Sequence, residues 1–450
     1  MPTSTRQFNI ELYREHLDEA SFLYQQRLAY LHDPEVNWPD LANWEARFET
    51  HIDALVVGDD LALDVCRRGV AEGDAGEKHA ALLVFCRQRS KDEAFAMLEA
   101  LDPGDEAIVH AVSHALRSEG PAGWRDDLVK MFESDRAHLT HVLAHVIGYR
   151  RLSCEEQLLH KLAAKPQFGT AEIAWALGRV GTRKSIPALW MLLDSDHEPT
   201  IDAAAIALLR LGDERVVERA MQEAPDRAWA RRALGVGGGP KAVRLLLDIL
   251  KTDALDANGV LALGMLGDLA AVIPLVDLLE DDTVGASAAV ALNTITGAGR
   301  YGRTFVPDTF DADELSDEER EAYERDGTVP TRQGEPYGNW ERGPARDQAG
   351  WRKWLDENKQ NFRRGYRWRM GRLYGPSALY ECLCCSTSPY AIRAASYEEL
   401  VVRYAMDVPF EVELPVKHQS RFLQQIAQWG AAKDAQSTPG HWYFATQRRS

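Results

Sequence analysis

Apolar and polar residues follow a helical period along most of the chain, and between about residues 170 and 300 this pattern repeats. An Ala-Leu pair recurs at five places, which begin at Ala176, Ala207, Ala233, Ala262 and Ala291. The steps between these alanines are 31, 26, 29 and 29 residues, enough for a pair of helices and two turns at about 1.5 Å per residue. One such pair cannot bury its apolar face alone. The sequence therefore predicts an all-α fold in which helix pairs stack into a solenoid.

The unit Ile201–Gly212 illustrates how one repeat is built. Its alanines and leucines, with Leu208 among them, fall on one face of a helix. Gly212 lies where the chain must reverse, because glycine accepts the left-handed conformation that ends many helices. Asp213 can then cap the next helix, and the pair Gly267-Asp268 repeats this arrangement. We interpret these stripes as core and assign them no chemistry.

The chain divides into four predicted segments. Weaker repeats continue upstream of residue 170, so roughly seven or eight units extend from residue 75 to residue 300. We predict an N-terminal helical cap over 1–74, the solenoid over 75–300, an acidic insertion or linker over 301–345, and a C-terminal helical cap region over 346–450.

The segment after the repeats changes abruptly in charge. Residues 308–326 hold ten acidic residues, among them Asp311, Asp313 and Glu314. We predict an exposed insertion with one short helix, Ser316–Arg325, capped by the Ser316 hydroxyl with Glu319 three residues later.

The reverse composition follows, since residues 338–374 hold ten basic residues, four acidic residues and seven aromatic residues. One interpretation is internal docking, in which Trp351, Trp354 and Leu355 seat a helix on the end of the solenoid and the arginines pair with the acidic insertion. A second is a protein-binding face, and a third is stacking of single-stranded nucleic acid. The candidate protein-binding residues are Arg363, Arg364, Arg367, Trp368, Arg369 and Arg372.

The overall charge makes nucleic acid a poor partner. The 450 residues include 69 acidic and 52 basic residues, a formal net charge of −17, which repels phosphate backbones. A basic protein is the better partner. The N-terminus is too polar for a secretory signal, and no apolar stretch reaches the ~18 residues that would span a membrane. Six cysteines are too few for a disulfide scaffold. We therefore predict a cytoplasmic protein with no membrane partner.

Histidines and cysteines give the only hints of metal chemistry. His110 and His114 are four residues apart, as are His141 and His145, a spacing that can bind zinc on one helix face. Without a third ligand of known geometry, we interpret them as histidines that line a solenoid groove. The run Cys382–Cys385 lacks a second cysteine pair, which favours cysteines packed within a helix. No catalytic residue, cofactor or metal ion is predicted.

Two resemblances to known families extend this interpretation. The Ala-Leu-x-x-Leu-Gly-Asp pattern, with a proline in the next helix, resembles HEAT-like repeats of the phycobilin-lyase type. The fold class is thus a HEAT-like α-solenoid (α-α superhelix) with helical N- and C-terminal caps. Other segments resemble an uncharacterised proteobacterial HEAT-repeat family whose genes often lie beside type VI secretion genes. These are His16–Arg27, Leu41–Arg47, Thr50–Leu55, Gly365–Arg372 and Arg393–Ala395.

The resemblance implies a context of secretion or interbacterial competition and supplies no catalytic residue. We expect a non-catalytic protein-binding scaffold rather than an enzyme. Its role would be that of an adaptor or chaperone that holds a type VI secretion component or effector against the concave face. One alternative is an immunity protein that neutralises a basic toxin, for which negative charge would speed capture. Another is a lyase-like enzyme, which rests on repeat analogy alone.

Overall fold

The computed structural model describes residues 5–252, 254–308, 315–332 and 334–449. The fold is an all-α solenoid with helical caps, and the described residues form 23 α-helices and a few short strands. The first three helices form the N-terminal cap and pack against the fourth. They are α1 (Thr5–His32), α2 (Leu41–Val57) and α3 (Asp59–Glu72).

The repeats occupy the next fifteen helices. They are α4 (Ala75–Gln88), α5 (Lys91–Glu99), α6 (Glu106–Glu119), α7 (Arg125–Glu133), α8 (Thr140–Tyr149), α9 (Glu155–Ala163), α10 (Thr170–Val180), α11 (Ile186–Leu192), α12 (Glu198–Arg210), α13 (Arg215–Glu223), α14 (Ala228–Gly237), α15 (Pro240–Ile249), α16 (Ala257–Leu266), α17 (Val272–Asp277) and α18 (Gly285–Thr296). Each even-numbered helix from α4 to α18 packs against the next one. We call these eight helices the inner row, and the odd-numbered helices lie behind them.

Small residues allow the helices of the inner row to approach closely. A Cβ placed on Gly178 would lie 2.8 Å from the Cα of Ala207, and one on Gly264 would lie 2.7 Å from the Cα of Ala291. Contacts this short exclude any side chain larger than hydrogen. The glycine in the repeated Ala-Leu-Gly sequence is therefore required by the stacking of one inner helix on the next.

The turns between repeats confirm the predictions made from Gly212 and Gly267. Both glycines adopt the left-handed conformation, with φ angles of +76° and +69°. Asp268 accepts a hydrogen bond from the backbone N of Ala270 at 2.9 Å and so caps a short 3-10 turn. The Leu208 side chain is fully buried, as its place on the apolar face predicts.

The array is followed by a two-stranded arm that the sequence did not predict. Strand β1 (Tyr301–Pro307) pairs antiparallel with β4 (Gly338–Pro344), and between them lie the acidic helix α19 (Asp317–Asp326) and the short strands β2 (Thr331–Arg332) and β3 (Glu335–Pro336). The strands escaped prediction because their residues show no regular alternation of polar and apolar types. The helix has the predicted capping box of Ser316 and Glu319. The acidic residues Asp311, Asp313 and Glu314 lie outside the described residues.

Helix α20 (Gln348–Asn358) packs beside α17 at the end of the array, as the internal docking interpretation predicts. Trp351 is fully buried, and its Nε1 donates to the carbonyl oxygen of Ala345 at 2.6 Å. The Nε of Arg346 donates to the carbonyl oxygen of Leu279 at 2.8 Å. These contacts seat the helix on the last repeat.

The remaining residues, 366–449, do not extend the array but fold back along the inner row. We call them the C-terminal segment. Helix α22 (Tyr390–Tyr404) contacts α12, α14 and α16, and helix α23 (Val416–Asp434) contacts α2 of the N-terminal cap. The elements of the segment are β5 (Trp368–Arg369), β6 (Arg372–Leu373), α21 (Pro376–Cys384), α22 (Tyr390–Tyr404), α23 (Val416–Asp434), β7 (Trp442–Phe444) and β8 (Gln447–Arg449).

This course of the chain brings distant parts of the sequence together. The backbone N of Val416 donates to Glu45 at 2.7 Å, and the backbone N of Arg342 donates to Glu35 at 2.6 Å. The N-terminal cap therefore contacts both the C-terminal segment and the arm. Within the described residues, no helix is long and apolar enough to cross a membrane.

Candidate functional site

Arginines of successive repeats hold the C-terminal segment against the inner row. Arg117, Arg179 and Arg210 lie near the C-terminal ends of α6, α10 and α12, at multiples of a 31-residue step. Arg179 Nε lies 2.7 Å from Glu411 Oε1, and Arg151 Nη2 lies 3.3 Å from the same oxygen. Burial disfavours the Glu411 carboxylate, but these arginines outweigh it and lower the pKa of Glu411.

Glu413 is held in the same way, two residues further along. Its carboxylate forms an ion pair with Arg117 and accepts a hydrogen bond from the Tyr390 hydroxyl at 2.9 Å. Burial acts to raise the pKa of Glu413, but Arg117 outweighs this effect and the pKa falls to about 2. The carboxylate is therefore ionised at neutral pH and anchors the loop before α23 to α6.

Arg210 links three elements at once. Its Nη1 lies 2.7 Å from Glu398 on α22, and its Nε donates to the carbonyl oxygen of Gly178 at 2.8 Å. The second contact satisfies a carbonyl in the last turn of α10, where the helix leaves its acceptors unpaired and where positive charge is favoured.

A cluster of buried charges lies deeper in the C-terminal segment. Arg367, Arg369 and Arg403 are at most 1% exposed, and they surround the carboxylate of Glu399, which is also fully buried. Arg369 Nη2 lies 2.5 Å from Glu399, and the Tyr374 hydroxyl donates to the same carboxylate. Burial, followed by the positive charge of Arg403, lowers the pKa of Arg367 to about 10. The carboxylate of Glu399 thus forms ion pairs with three guanidinium groups.

Helix ends of the inner row supply the remaining acceptors for this cluster. Arg403 donates to the carbonyl oxygens of Gly235 and Gly238 at 3.3 and 3.1 Å, at the C-terminal end of α14. Arg367 Nε donates to the carbonyl oxygen of Leu266, the last residue of α16, at 2.7 Å. The negative ends of two helix dipoles therefore help to balance the excess of buried positive charge.

These positions correct part of the predicted protein-binding face. Arg367, Trp368 and Arg369 are buried against the inner row, so their side chains are not available to a partner. Their basic groups pair with Glu399 rather than with the acidic insertion, because Glu399 faces them from α22. Arg363, Arg364 and Arg372 are exposed, and Arg372 forms an ion pair with Glu381.

The first inner helices carry histidines that sit in the interior as neutral rings. His79 Nε2 lies 3.0 Å from His114 Nδ1, and the Tyr24 ring stacks on His79 with centroids 3.7 Å apart. Burial, together with nearby arginines, holds the pKa of both histidines well below its usual value. These contacts join α1, α4 and α6.

His145 is neutral for the same reason. Its Nε2 lies 3.0 Å from Arg117 Nη1, and its ring packs edge-on against Trp175 with centroids 4.6 Å apart. Burial and the charge of Arg117 lower the pKa of His145 to about 3. A nitrogen of a neutral imidazole can accept a hydrogen bond from the guanidinium group, whereas a protonated ring would repel that group.

An open groove of about 930 Å³ lies beside these residues. It is formed by α6, α8, α10 and α12, and the C-terminal segment contributes no residue to its lining. We call it the histidine groove, and its lining includes Glu106, His110, His141, Phe168, Glu172 and Trp175. The sequence identified His110, His141 and His145 as groove-lining histidines but not the other residues. The 31-residue steps from His110 to His141, Glu172 and Ala203 were the signal that would have found them.

The groove is negatively charged. Glu106 and Glu172 line it, and no lysine or arginine is among its lining residues. Burial lowers the pKa of His110 and His141, so these rings are neutral at pH 7. The charges of Glu172 and Glu106 act in the opposite direction and favour the protonated form of His141.

The histidine pairs do not converge on a common point. The rings of His110 and His114 are parallel with centroids 6.2 Å apart, and His114 contacts His79 instead. Within the described part of the chain, no group of three or more histidine, cysteine, aspartate or glutamate residues could hold a metal ion. All six cysteines are free, and Cys382 is buried in α21 as its helical pattern predicts.

No protein-family model matches this chain, and no curated protein matches it in sequence. The arginine contacts and the histidine groove are therefore the observations from which a function must be argued.

Proposed function

We propose that this chain is a non-catalytic protein-binding scaffold and that an extended segment of a partner protein binds in the histidine groove. The observation that carries the proposal is the position of this groove on the inner face of four successive repeats, at a place that the C-terminal segment leaves open. Solenoids commonly bind partners along such a surface.

The contacts of the C-terminal segment support this mode of binding. Residues 405–415 are not helical, and the inner row holds them through side chains from different repeats. Arg27 also donates to the carbonyl oxygen of Glu413 at 2.8 Å, a contact made to the backbone of the loop. The array and the N-terminal cap therefore already hold one non-helical stretch of polypeptide next to the groove.

A peptide-display selection tests the proposal. A library of random nine-residue peptides is selected on the wild-type protein, and the enriched peptides are then measured against a groove-filled variant, Ala171→Trp with Ala203→Trp. Both alanines line the groove. We expect binding to fall at least about tenfold, which corresponds to about 1.4 kcal/mol.

The matched control is Met191→Trp, because Met191 is exposed on α11, outside the inner row. This variant should bind the peptides as the wild type does, and thermal melting should show that all the variants are folded. The absence of any enriched peptide, or equal binding to the groove-filled variant, would overturn the proposal.

The proposals for the biological role of this binding rest on the sequence alone. The adaptor or chaperone role for a type VI secretion component, the immunity role, the lyase-like alternative and the non-enzymatic character of the chain stay predictions. We also propose a cytoplasmic setting and a basic protein partner, in keeping with the six free cysteines and the net charge of −17. An immunity protein would restore growth to cells that express the toxin, whereas an adaptor would co-purify with a secreted cargo.

A further inference from the structure

We infer that the histidine groove binds a polypeptide segment that carries two cationic side chains, lysine or arginine, about five residues apart. This inference rests on the proposed function and names the chemistry of the partner. It follows from the charge of the groove, from the distance between its two carboxylates, and from the way in which the neighbouring arginines are already paired.

The described part of the chain supplies no cationic partner for the two carboxylates. Among the described residues, no lysine, arginine or histidine forms an ion pair with Glu106 or Glu172. Both line the groove, and its lining contains no lysine or arginine. A cationic side chain of a partner would supply the missing charge at these two carboxylates, of which Glu106 is exposed and Glu172 is half-buried.

The nearest arginines do not oppose a cationic ligand. Arg117 pairs with Glu413, and Arg179 pairs with Glu411 and lies 3.6 Å over the Trp175 ring. Their charges are thus neutralised by the C-terminal segment. An anionic segment would instead meet two unpaired carboxylates, so the groove discriminates by sign of charge.

The spacing of the two charges follows from the repeat geometry. Glu106 begins α6 and Glu172 lies in the first turn of α10, two steps along the inner row. Packed helices lie about 8–10 Å apart, which places the two carboxylates about 16–20 Å from each other. An extended chain advances about 3.3 Å per residue, so side chains about five residues apart reach both.

The lining between the carboxylates suits the stems of long cationic side chains. Phe168 packs against His141 with ring centroids 5.6 Å apart, and Trp175 lies one turn beyond Glu172 on α10. Lysine and arginine bury their methylene groups on such apolar surfaces while the charged end remains polar. The whole groove crosses three inner-row steps, about 24–30 Å, enough for about seven to nine extended residues.

The test measures fluorescence anisotropy with three labelled nine-residue peptides of otherwise identical alanine and serine composition. The first has lysines at positions 2 and 7, the second has norleucine at both positions, and the third has glutamate. We expect the dilysine peptide to bind at least about tenfold more tightly than either of the others, and to weaken at high salt.

The decisive variant is Glu106→Gln with Glu172→Gln. It should lower the affinity for the dilysine peptide at least about tenfold while leaving the norleucine peptide unaffected. The matched control is Glu156→Gln with Glu218→Gln, because both residues are exposed on odd-numbered helices and the net charge changes equally. This control should bind the dilysine peptide as the wild type does.

Equal affinities for the dilysine and norleucine peptides, or equal losses in the groove variant and the control, would overturn the inference. Its failure is distinct from that of the proposed function. Peptides from the random library that require an open groove but carry no basic residue would contradict the cationic partner and still support a protein-binding scaffold.

Discussion

Arg179 and Glu411 lie 232 positions apart in the chain, yet Arg179 Nε and Glu411 Oε1 are 2.7 Å apart. Their side chains are only 4% and 18% exposed. This ion pair is one of several contacts between the C-terminal segment and arginines of different repeats. The docking of the segment therefore depends on partly buried charges, which makes it sensitive to the loss of a single carboxylate.

Replacement of both loop carboxylates, Glu411→Gln with Glu413→Gln, should loosen the C-terminal segment. Arg117 and Arg179 would lose their ionised partners while staying largely buried, and broken buried pairs cost about 3–5 kcal/mol. We expect faster protease cleavage within residues 405–415 and faster amide hydrogen exchange in α22.

The control for this variant is Glu318→Gln with Glu321→Gln, which removes the same charge from the exposed helix α19. It should be cleaved within residues 405–415 at the wild-type rate. A double loop variant that is as resistant as this control would show that the ion pairs do not hold the segment.

Glu399→Gln should be among the most destabilising single substitutions in the C-terminal segment. The change keeps the size of the side chain but removes the one carboxylate that, among the residues the structure describes, pairs with Arg367, Arg369 and Arg403. We expect a loss of about 3–5 kcal/mol in the free energy of unfolding, measured with urea. Glu214→Gln, which breaks the exposed pair with Arg449, should cost less than about 1 kcal/mol. Similar losses in the two variants would contradict this account.

Leu208→Asp should unfold several neighbouring repeats. The side chain is fully buried in the last turn of α12, where a carboxylate would lose its hydration. We expect a loss of at least about 4 kcal/mol and a clear drop in the thermal midpoint measured by circular dichroism. Met191→Asp is the control, because Met191 is 73% exposed. An unchanged midpoint for Leu208→Asp would contradict the repeat stacking described above.

Acidification below about pH 6.5 should destabilise the protein before its carboxylates titrate. Burial lowers the folded-state pKa of His79, His114 and His145, in the last case to about 3. Unfolded histidines bind protons near pH 6.5, so the unfolded state takes up more protons as the pH falls. As the pH falls below about 6.5, each such histidine lowers the free energy of unfolding by about 1.4 kcal/mol per pH unit, until the pH reaches its pKa in the folded state.

Urea unfolding at several values between pH 7 and pH 5 measures this slope. The variant His79→Gln should flatten it by about 1.4 kcal/mol per pH unit, because it removes one of the buried neutral rings. The carboxylate of Glu413 acts at lower pH, since its folded pKa is about 2 and its contribution is lost only as the pH falls from about 4.5 toward that value. A flat profile between pH 7 and pH 5 would contradict the neutral state of these histidines.

The features that the sequence predicted well are those specified within one repeat. Gly212, Gly267 and the capping box of Ser316 depend on residues only a few positions away, and propensity and capping rules cover this range. The stacking of helix pairs also follows from a local apolar pattern. These predictions hold because neighbouring repeats provide one another with the same environment.

The packing of the C-terminal segment along the inner row could not be predicted in the same way. It depends on pairs such as Arg210 and Glu398, which are 188 positions apart, and no local pattern encodes that pairing. Charged residues are almost never fully buried unless they are paired, so Arg367 and Arg369 were expected on a surface. The position of Glu399 on α22 and the carbonyl oxygens at the end of α16 together explain their burial.

The contacts between the C-terminal segment and both ends of the array also affect its mechanics. An open solenoid behaves as a spring, because small rotations between repeats add up to a large change in curvature. Here Val416 is bonded to Glu45 near one end, and Met370 donates to the carbonyl oxygen of Thr294 at 2.8 Å in the last repeat. Any stretching or tightening of the superhelix would break these bonds. These bonds therefore oppose a change in the curvature of the repeats that form the groove.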